Sequence, residues 1–273
     1  MTKKNKASQA IGIFDSGVGG LTVTHALVKL LPQENIIYFG DTAHYPYGGK
    51  SVAAIQSYSI KIAHMLLQQE CKLILIACNT ASSVAYDLLK EYIGSKAIVI
   101  NVIDPLISWI KNECAHKKIG LIGTKQTVSS NIYKRKIDEL GKGIQLSSYP
   151  TGLLASAIEE FGRHEIVGNL LDVYLAHPSL QNIEALILAC THYPVVKDKI
   201  AAFYDHKIEV IDSSAIVAQA VQEELKIANL LNPDGGHRRQ FYISDYDYTE
   251  SFVSGTKLFF DEDINLEHYP LWD

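Results

Sequence analysis

Two cysteines, Cys78 and Cys190, stand where parallel-sheet proteins place reactive groups. Each cysteine follows a short apolar run that ends in alanine, and each is followed by polar residues. Ligands of open parallel sheets bind at the carboxyl ends of the strands, where loops enter helix N-termini. The helix dipole there can lower the pKa of a thiol and favour the thiolate, which acts as a base or a nucleophile. Both cysteines are therefore candidates for chemistry, against the alternative that they are small buried hydrophobic residues.

The two cysteines belong to a repeat within the chain. Residues 73–80 (LILIACNT) match residues 185–192 (ALILACTH) at an offset of 112 positions. Residues 11–17 (IGIFDSG) resemble residues 119–124 (IGLIGT) at an offset of 108 positions. Two matches in the same order and at nearly the same offset predict two similar α/β halves.

The repeat suggests a reaction that needs two equivalent groups. If the halves face each other about a pseudo-twofold axis, both thiols point into one cleft from opposite sides. A stereocentre is inverted most simply when a base removes a proton from one face and an acid delivers a proton to the other. One cysteine would be the thiolate and the other the thiol, and the roles would exchange with the direction of the reaction.

Two further side chains stand close to these groups in the sequence. Asp15 follows the first strand in the glycine-rich loop 15–20 and could bind a substrate ammonium or support an acid–base group, or it could cap the next helix. The amides of that loop could hold an anion, or its glycines could simply make a tight turn. His192 could assist the Cys190 thiol or bind a carboxylate.

Zinc on Cys78, Cys190 and His192 is a competing interpretation, although the sequence offers no close Cys-x-x-Cys pair and no fourth ligand.

The elements that must position these residues form an alternating pattern. Short runs rich in Ile and Val alternate with amphipathic stretches, which is typical of an α/β protein with mainly parallel sheets. One helix is predicted to begin after Ser51, a suitable N-cap. We predict two similar domains related by pseudo-twofold symmetry, with the active site in the cleft between them. The predicted strands are 10–14, 35–39, 72–77, 97–102, 118–122, 184–189, 207–211 and 241–244.

The composition limits the class of protein. The chain has 273 residues, is 47% hydrophobic and carries a formal net charge of -5 from 25 basic and 30 acidic residues. That profile is typical of a soluble globular protein, and the absence of a long Lys/Arg stripe argues against nucleic acid or a membrane surface as the partner. A small-molecule substrate is expected instead.

The sequence also predicts the compartment. The first ten residues are basic but are not followed by the apolar stretch and cleavage site of a signal peptide, so we interpret them as a frayed tail. No apolar run approaches the roughly 20 residues of a membrane span. The four cysteines are too few and too scattered for a disulfide framework and are interpreted as free thiols. We predict a cytoplasmic protein.

Four motifs, taken together, resemble the cofactor-independent glutamate racemases of the aspartate/glutamate racemase family. They are FDSGVGGL at 14–21, DTAHYPYG at 41–48 with Lys50-Ser51 beyond it, ACNTAS at 77–82 and ACTHYP at 189–194. The resemblance covers nearly the whole chain. It implies two α/β domains, the second inserted into the first, with 1–97 plus 210–273 forming one domain and 98–209 the other.

The resemblance also implies roles for particular residues. Cys78 would be the acid–base acting on the D-isomer and Cys190 the one acting on the L-isomer, with Asp15 and His192 assisting the thiols. Glu159 matches an acidic residue placed near the site in this family, although the preceding run 151–156 departs from the family's proline-containing pattern. The substrate-binding residues would be Asp15, Ser16, Tyr47, Gly48, Asn79, Thr80, Thr191 and His192.

The implied reaction is the interconversion of L- and D-glutamate without pyridoxal phosphate, metal or nucleotide, supplying D-glutamate for peptidoglycan. His192 favours the glutamate branch, because aspartate racemases of the wider family typically have glutamate at that position. Two alternatives stay open: an aspartate or broad-specificity amino-acid racemase, and a non-catalytic protein that closes on a dicarboxylate. A homodimer is compatible with the sequence.

Overall fold

The computed structural model describes residues 6–233, 238–245 and 256–273, and its strands form two parallel sheets. The first sheet has the order β10-β9-β2-β1-β3-β4 and the second the order β6-β5-β7-β8. The strands of the first sheet are β1 Ile11–Asp15, β2 Ile36–Gly40, β3 Leu73–Ile76, β4 Ile98–Asn101, β9 Arg239–Ile243 and β10 Leu266–His268. Those of the second are β5 Lys118–Gly123, β6 Gln145–Pro150, β7 Ala185–Ala189 and β8 Glu209–Ile211.

Helices connect the strands, as parallel pairing requires. The helix predicted after Ser51 begins there, with the Ser51 hydroxyl accepting a hydrogen bond from the Ala54 N–H at 3.3 Å. The helices are α1 Leu21–Leu30, α2 Val52–Gln68, α3 Asn79–Ile93, α4 Asp104–Glu113, α5 Lys125–Ser129, α6 Ile132–Glu139, α7 Leu154–Phe161, α8 Glu165–Leu175, α9 Lys197–Phe203, α10 Ser214–Ile227 and α11 Lys257–Phe260. Short 3₁₀ turns lie at Lys6–Ser8, Thr42–His44, Tyr47–Gly49, Pro178–Leu180 and Tyr193–Val196.

The two sheets share a strand order. β2-β1-β3-β4 in the first sheet corresponds to β6-β5-β7-β8 in the second. The repeat seen in the sequence pairs β1 with β5 and β3 with β7, which occupy equivalent places in the two sheets. Cys78 and Cys190 therefore follow topologically equivalent strands. The predicted α/β fold with parallel sheets is confirmed, whereas its exact pseudo-twofold relation stays a prediction.

Buried apolar residues cover both faces of the first sheet. Ile13 and Leu75 belong to a core that continues into the second sheet through Leu121 and Leu188. Phe14 belongs to a separate core beneath α2 and α3. Successive strand residues thus point to opposite, equally buried faces, which explains the continuous apolar runs that made the strands predictable.

Each of the eight predicted strands is present, but two strands were missed. β6 has the polar sequence QLSSYP and lies half-exposed at the edge of its sheet. β10 is a three-residue edge strand. The domain boundaries stay a prediction. Strand β4 (Ile98–Asn101) pairs within the first sheet, and strand β8 (Glu209–Ile211) pairs within the second.

The aromatic end of the chain packs on the first sheet. The Tyr269 ring meets Phe39 edge-on at 6.3 Å, and Leu271 and Trp272 pack against the core beneath α2. The aromatic-rich end of the chain, residues 241–273, also contains Tyr246 and Tyr248, which lie outside the described residues, as do residues 1–5 of the predicted tail. In the described parts of the chain, no helix has the length and apolar character to span a bilayer.

Candidate active site

The candidate site lies where the carboxyl ends of strands from both sheets meet. Cys78 follows β3 in the first half, and Cys190 follows β7 in the second. A cavity of about 20 Å³ has both residues in its wall. That volume holds about one water molecule, so an amino acid can enter only when the surrounding elements move apart. The wall is formed by Ser16, Tyr45, Pro46, Tyr47, Gly48, Cys78, Asn79, Thr80, Thr124, Ala155, Cys190, Thr191 and His192.

Cys78 is the N-cap of α3. Its sulfur accepts a hydrogen bond from the Ala81 N–H at 3.4 Å and lies 3.7 Å from the Ser16 hydroxyl. Burial raises the pKa of the Cys78 thiol to about 12, and the Asp15 carboxylate adds to this, although the Ala81 N–H and the Ser16 hydroxyl act in the opposite direction. The sequence-based expectation of a lowered pKa is therefore wrong for Cys78, because desolvation outweighs the helix N-terminus. Cys78 is a protonated thiol at neutral pH.

Cys190 has a different neighbourhood. Its sulfur lies 3.9 Å from Nδ1 of His192, whose Nε2 lies 2.7 Å from a carboxylate oxygen of Glu159. Burial alone would lower the pKa of His192, but the hydrogen bonds to Cys190 and Glu159 raise it to about 10. His192 is therefore an imidazolium at neutral pH. A cation beside a sulfur stabilises negative charge on that sulfur.

Asp15 lies behind the cavity wall and is fully buried. One of its carboxylate oxygens accepts a hydrogen bond from the Gly17 N–H at 3.2 Å, whereas the other, Oδ1, has no hydrogen-bond partner among the described residues. Burial raises the pKa of Asp15, while His192 and backbone N–H groups lower it. The helix-cap alternative is wrong, because α1 begins after Gly20 without a side-chain cap. A buried acceptor without a donor is costly and suits a ligand that brings one.

Polar side chains from both halves meet across the cavity. The hydroxyls of Thr80, Thr124 and Thr127 form a triangle with sides of 2.9, 3.0 and 3.3 Å. Asn79 accepts a hydrogen bond from the Tyr133 hydroxyl at 2.7 Å, which leaves its amide N–H groups as donors. The site thus offers hydroxyl and amide groups suited to carboxylate binding.

The predicted site residues fall into two groups. Cys78, Cys190 and the predicted substrate-binding residues other than Asp15 line the cavity. Asp15 and Glu159 do not line it and act on residues that do, Asp15 on Cys78 through its charge and Glu159 on His192 through a hydrogen bond.

Sequence reasoning missed Thr124, Thr127 and Tyr45. The signal for Thr124 was present, because the repeat aligns Thr124 with Ser16 at the end of the equivalent strand. Thr127 lies one helical turn farther on, within hydrogen-bond distance of Thr124. Tyr45 lies in the DTAHYPYG motif, and its ring stands 5.8 Å from that of His192.

The glycine-rich loop serves the contact between the halves. A Cβ atom at Gly19 would overlap the imidazole of His192, so only glycine allows the loop to approach the second half this closely. Among the residues that the structure describes, no group of three or more His, Cys, Asp or Glu side chains is arranged to hold a metal ion. The zinc interpretation thus has no ligand set in the described residues.

Comparison with known proteins gives a consistent result. The family model described as Asp/Glu/Hydantoin racemase matches residues 11–221. The chain is 37% identical over 265 residues to "Glutamate racemase 3" of Caldanaerobacter subterraneus subsp. tengcongensis, covering 96% of this chain and 95% of that protein. It is 39% identical over 247 residues to the glutamate racemase of Syntrophus aciditrophicus, covering 90% and 91%. The crystal structure of the Francisella tularensis glutamate racemase in complex with D-glutamate matches with a TM-score of 0.88 and 39% identity, covering 97% of this chain and 99% of that one.

Proposed function

The chain belongs to the Asp/Glu/hydantoin racemase family, and from that premise we propose that it interconverts L- and D-glutamate by proton transfer between two cysteines. One observation carries the proposal. Two cysteines that follow equivalent strands of the two sheets line the same cavity, and their surroundings differ. Cys78 is a buried thiol, whereas Cys190 faces an imidazolium. An acid and a base are thus available at once.

With L-glutamate bound, the Cys190 thiolate removes the α-proton and becomes a thiol. The Cys78 thiol delivers its proton to the opposite face of the α-carbon and becomes a thiolate, so that D-glutamate forms and the total number of protons is unchanged. The reverse reaction starts from the Cys78 thiolate. The Ala81 N–H and the Ser16 hydroxyl, both within reach of that sulfur, would stabilise its charge.

The carbanion between the two transfers needs stabilisation, because an amino-acid α-proton is only weakly acidic. The N-terminus of α3, which begins at Asn79 and Thr80, would provide it, because the first N–H groups of a helix have no partner within the helix and favour an anion. Asp15, whose Oδ1 has no hydrogen-bond partner among the described residues, would reach the substrate ammonium once the cavity wall has moved apart to admit glutamate. We assign substrate binding to Asp15, Ser16, Tyr47, Gly48, Asn79, Thr80, Thr191 and His192.

We propose that the reaction needs no pyridoxal phosphate, metal or nucleotide, that the protein is cytoplasmic and that its D-glutamate enters peptidoglycan. We also keep the division into 1–97 plus 210–273 and 98–209, and a homodimer, which sedimentation of the full chain would test.

Proton NMR tests the proposed reaction. Dialysed protein under reducing conditions would be mixed in D₂O with L-glutamate and, separately, with L-aspartate, and loss of the α-proton signal followed while chiral chromatography measures inversion. We expect loss of the glutamate signal together with D-glutamate formation, and a much slower reaction of aspartate. Equal or faster reaction of aspartate would reassign the substrate. If neither amino acid exchanges its α-proton, the proposed reaction is wrong and the alternative of a non-catalytic binding protein is favoured.

A further inference from the structure

The carboxylate of Asp41 accepts hydrogen bonds from distant parts of the chain. It is fully buried. Its Oδ2 accepts from the Tyr47 hydroxyl at 2.6 Å and lies 3.0 Å from Nδ1 of His44. Its Oδ1 accepts from the Ser244 hydroxyl at 2.8 Å and from the indole N–H of Trp272 at 2.7 Å. Asp41 thus joins the motif beside the cavity to residues 203 and 231 positions away.

Tyr47 transmits the position of this carboxylate to the active site. Its side chain is 1% exposed and lines the cavity with the two cysteines. Burial, reinforced by the charge of Asp41, raises the pKa of Tyr47. The phenol therefore stays protonated and keeps donating to Asp41. The position of Asp41 therefore constrains the position of the Tyr47 hydroxyl, while the Tyr47 ring also packs against Tyr58 at 5.7 Å.

Trp272 is itself held in one orientation. Its ring meets His44 edge-on at 4.5 Å and Tyr58 edge-on at 5.5 Å. The ammonium of Lys61 lies 4.6 Å from the centre of the same ring. These contacts fix the plane of the indole, so its N–H has one direction. A fixed donor next to a buried carboxylate forms a strong, charge-assisted hydrogen bond.

We propose that Trp272 is a positioning residue of the active site, which holds Asp41 through its indole N–H and thereby places Tyr47 in the wall of the cavity. Trp272 does not line the cavity. It acts through its hydrogen bond to Asp41, and its ring also contacts Tyr58, which packs on Tyr47 at 5.7 Å. The proposal gives the aromatic end of the chain a role in catalysis. The positioning role rests on the proposed function in one respect, because its effect on KM is measured with glutamate as the substrate.

The link from Trp272 through Asp41 to Tyr47 can be tested without an activity assay. The chain contains two tryptophans, Trp109 and Trp272, and ¹⁵N-labelled full-length protein gives one indole N–H signal for each. Trp109 lies on α4 and does not line the cavity, so Trp109→Phe identifies the signal of Trp272. Tyr47→Phe removes one of the donors to Asp41. We expect it to shift the Trp272 signal and to leave the Trp109 signal in place. An unmoved Trp272 signal would overturn the link.

The consequence for the reaction is a change in KM. Trp272→Phe keeps an aromatic ring but removes the donor, with Trp109→Phe as the matched control. We expect Trp272→Phe to raise the KM for glutamate about threefold to tenfold, while kcat changes by less than about twofold because neither thiol is touched. Equal KM values in the two variants would overturn the positioning role. If the parent protein fails to turn over glutamate, the proposed function falls, and the response of the Trp272 signal to Tyr47→Phe still decides whether the link exists.

Discussion

The sulfur of Cys190 lies 3.9 Å from Nδ1 of His192. Among the described contacts of Cys78, the corresponding partners are the Ser16 hydroxyl and the Ala81 N–H, neither of which carries a charge. The two thiols thus occupy equivalent places in the fold but differ chemically. This difference lets one thiol act as a base while the other holds its proton.

Removing either cysteine of the cavity should stop racemisation. We expect Cys78→Ala and Cys190→Ala each to lower the rate by at least about a thousandfold, because each removes one of the two proton-transfer groups. Cys71→Ala is the matched control, since Cys71 is also buried and precedes the same strand that Cys78 follows. Chiral chromatography measures the rates. Parent-like turnover by either cavity variant would contradict the two-thiol mechanism.

Glu159 should affect the pH dependence of the reaction. Its carboxylate helps to raise the pKa of His192 to about 10, so Glu159→Gln lowers that pKa. We expect the alkaline limb of the L-to-D rate to move to lower pH by about one unit. A pH–rate profile measures the shift. Glu160→Gln is the control, because Glu160 is the exposed neighbour. An unchanged limb in Glu159→Gln would mean that this carboxylate does not govern the imidazolium.

The same His192 pair should stabilise the fold below its pKa. The ordinary pKa of the histidine is 6.5 and its folded value is about 10. The folded state therefore binds this proton more tightly, and the stabilisation is complete below about pH 6.5 and is lost as the pH rises through about 10. Glu159→Gln should weaken this pH dependence of the melting temperature, whereas Glu160→Gln should preserve it.

Asp15 should show a conflict between activity and stability. Burial raises its pKa, which means that the ionised carboxylate is unfavourable in the folded state at neutral pH. We expect Asp15→Asn to raise the melting temperature and to lower activity at least about tenfold. Differential scanning calorimetry and the racemisation assay measure the two effects. Asp87→Asn, at an exposed position of α3, is the control. A lower melting temperature for Asp15→Asn would contradict the burial argument.

The sequence predicts much of this site because its strands can be recognised from the sequence. Buried parallel strands are continuous apolar runs, and the residues that end them, such as Cys78 and Cys190, fall at the edge where ligands bind. β6 was missed because a half-exposed edge strand needs no such run. The raised pKa of Cys78 was missed because desolvation depends on the packing of the whole site. The contact of Trp272 with Asp41 spans 231 positions and leaves no local signal.

Removal of metals and pyridoxal phosphate should leave the reaction intact. The two cysteines, His192 and Glu159 provide the acid, the base and the charge from the chain itself. We expect dialysis against a chelator, followed by gel filtration, to change the rate by less than about twofold, since general acid–base catalysis needs only these side chains. Loss of activity that zinc or pyridoxal phosphate restores would show that the chain's own groups are insufficient.

Isotope content of the first product formed is the most direct test of proton transfer by two thiols on opposite faces. The parent protein would react with L-glutamate in D₂O for a small fraction of the conversion, and mass spectrometry after chiral separation would count deuterium in each enantiomer. We predict that D-glutamate carries deuterium, delivered by the Cys78 thiol after exchange with solvent, while the remaining L-glutamate keeps its original proton. D-glutamate that retains the substrate's proton would show that a single group removes and returns it, and would contradict the mechanism.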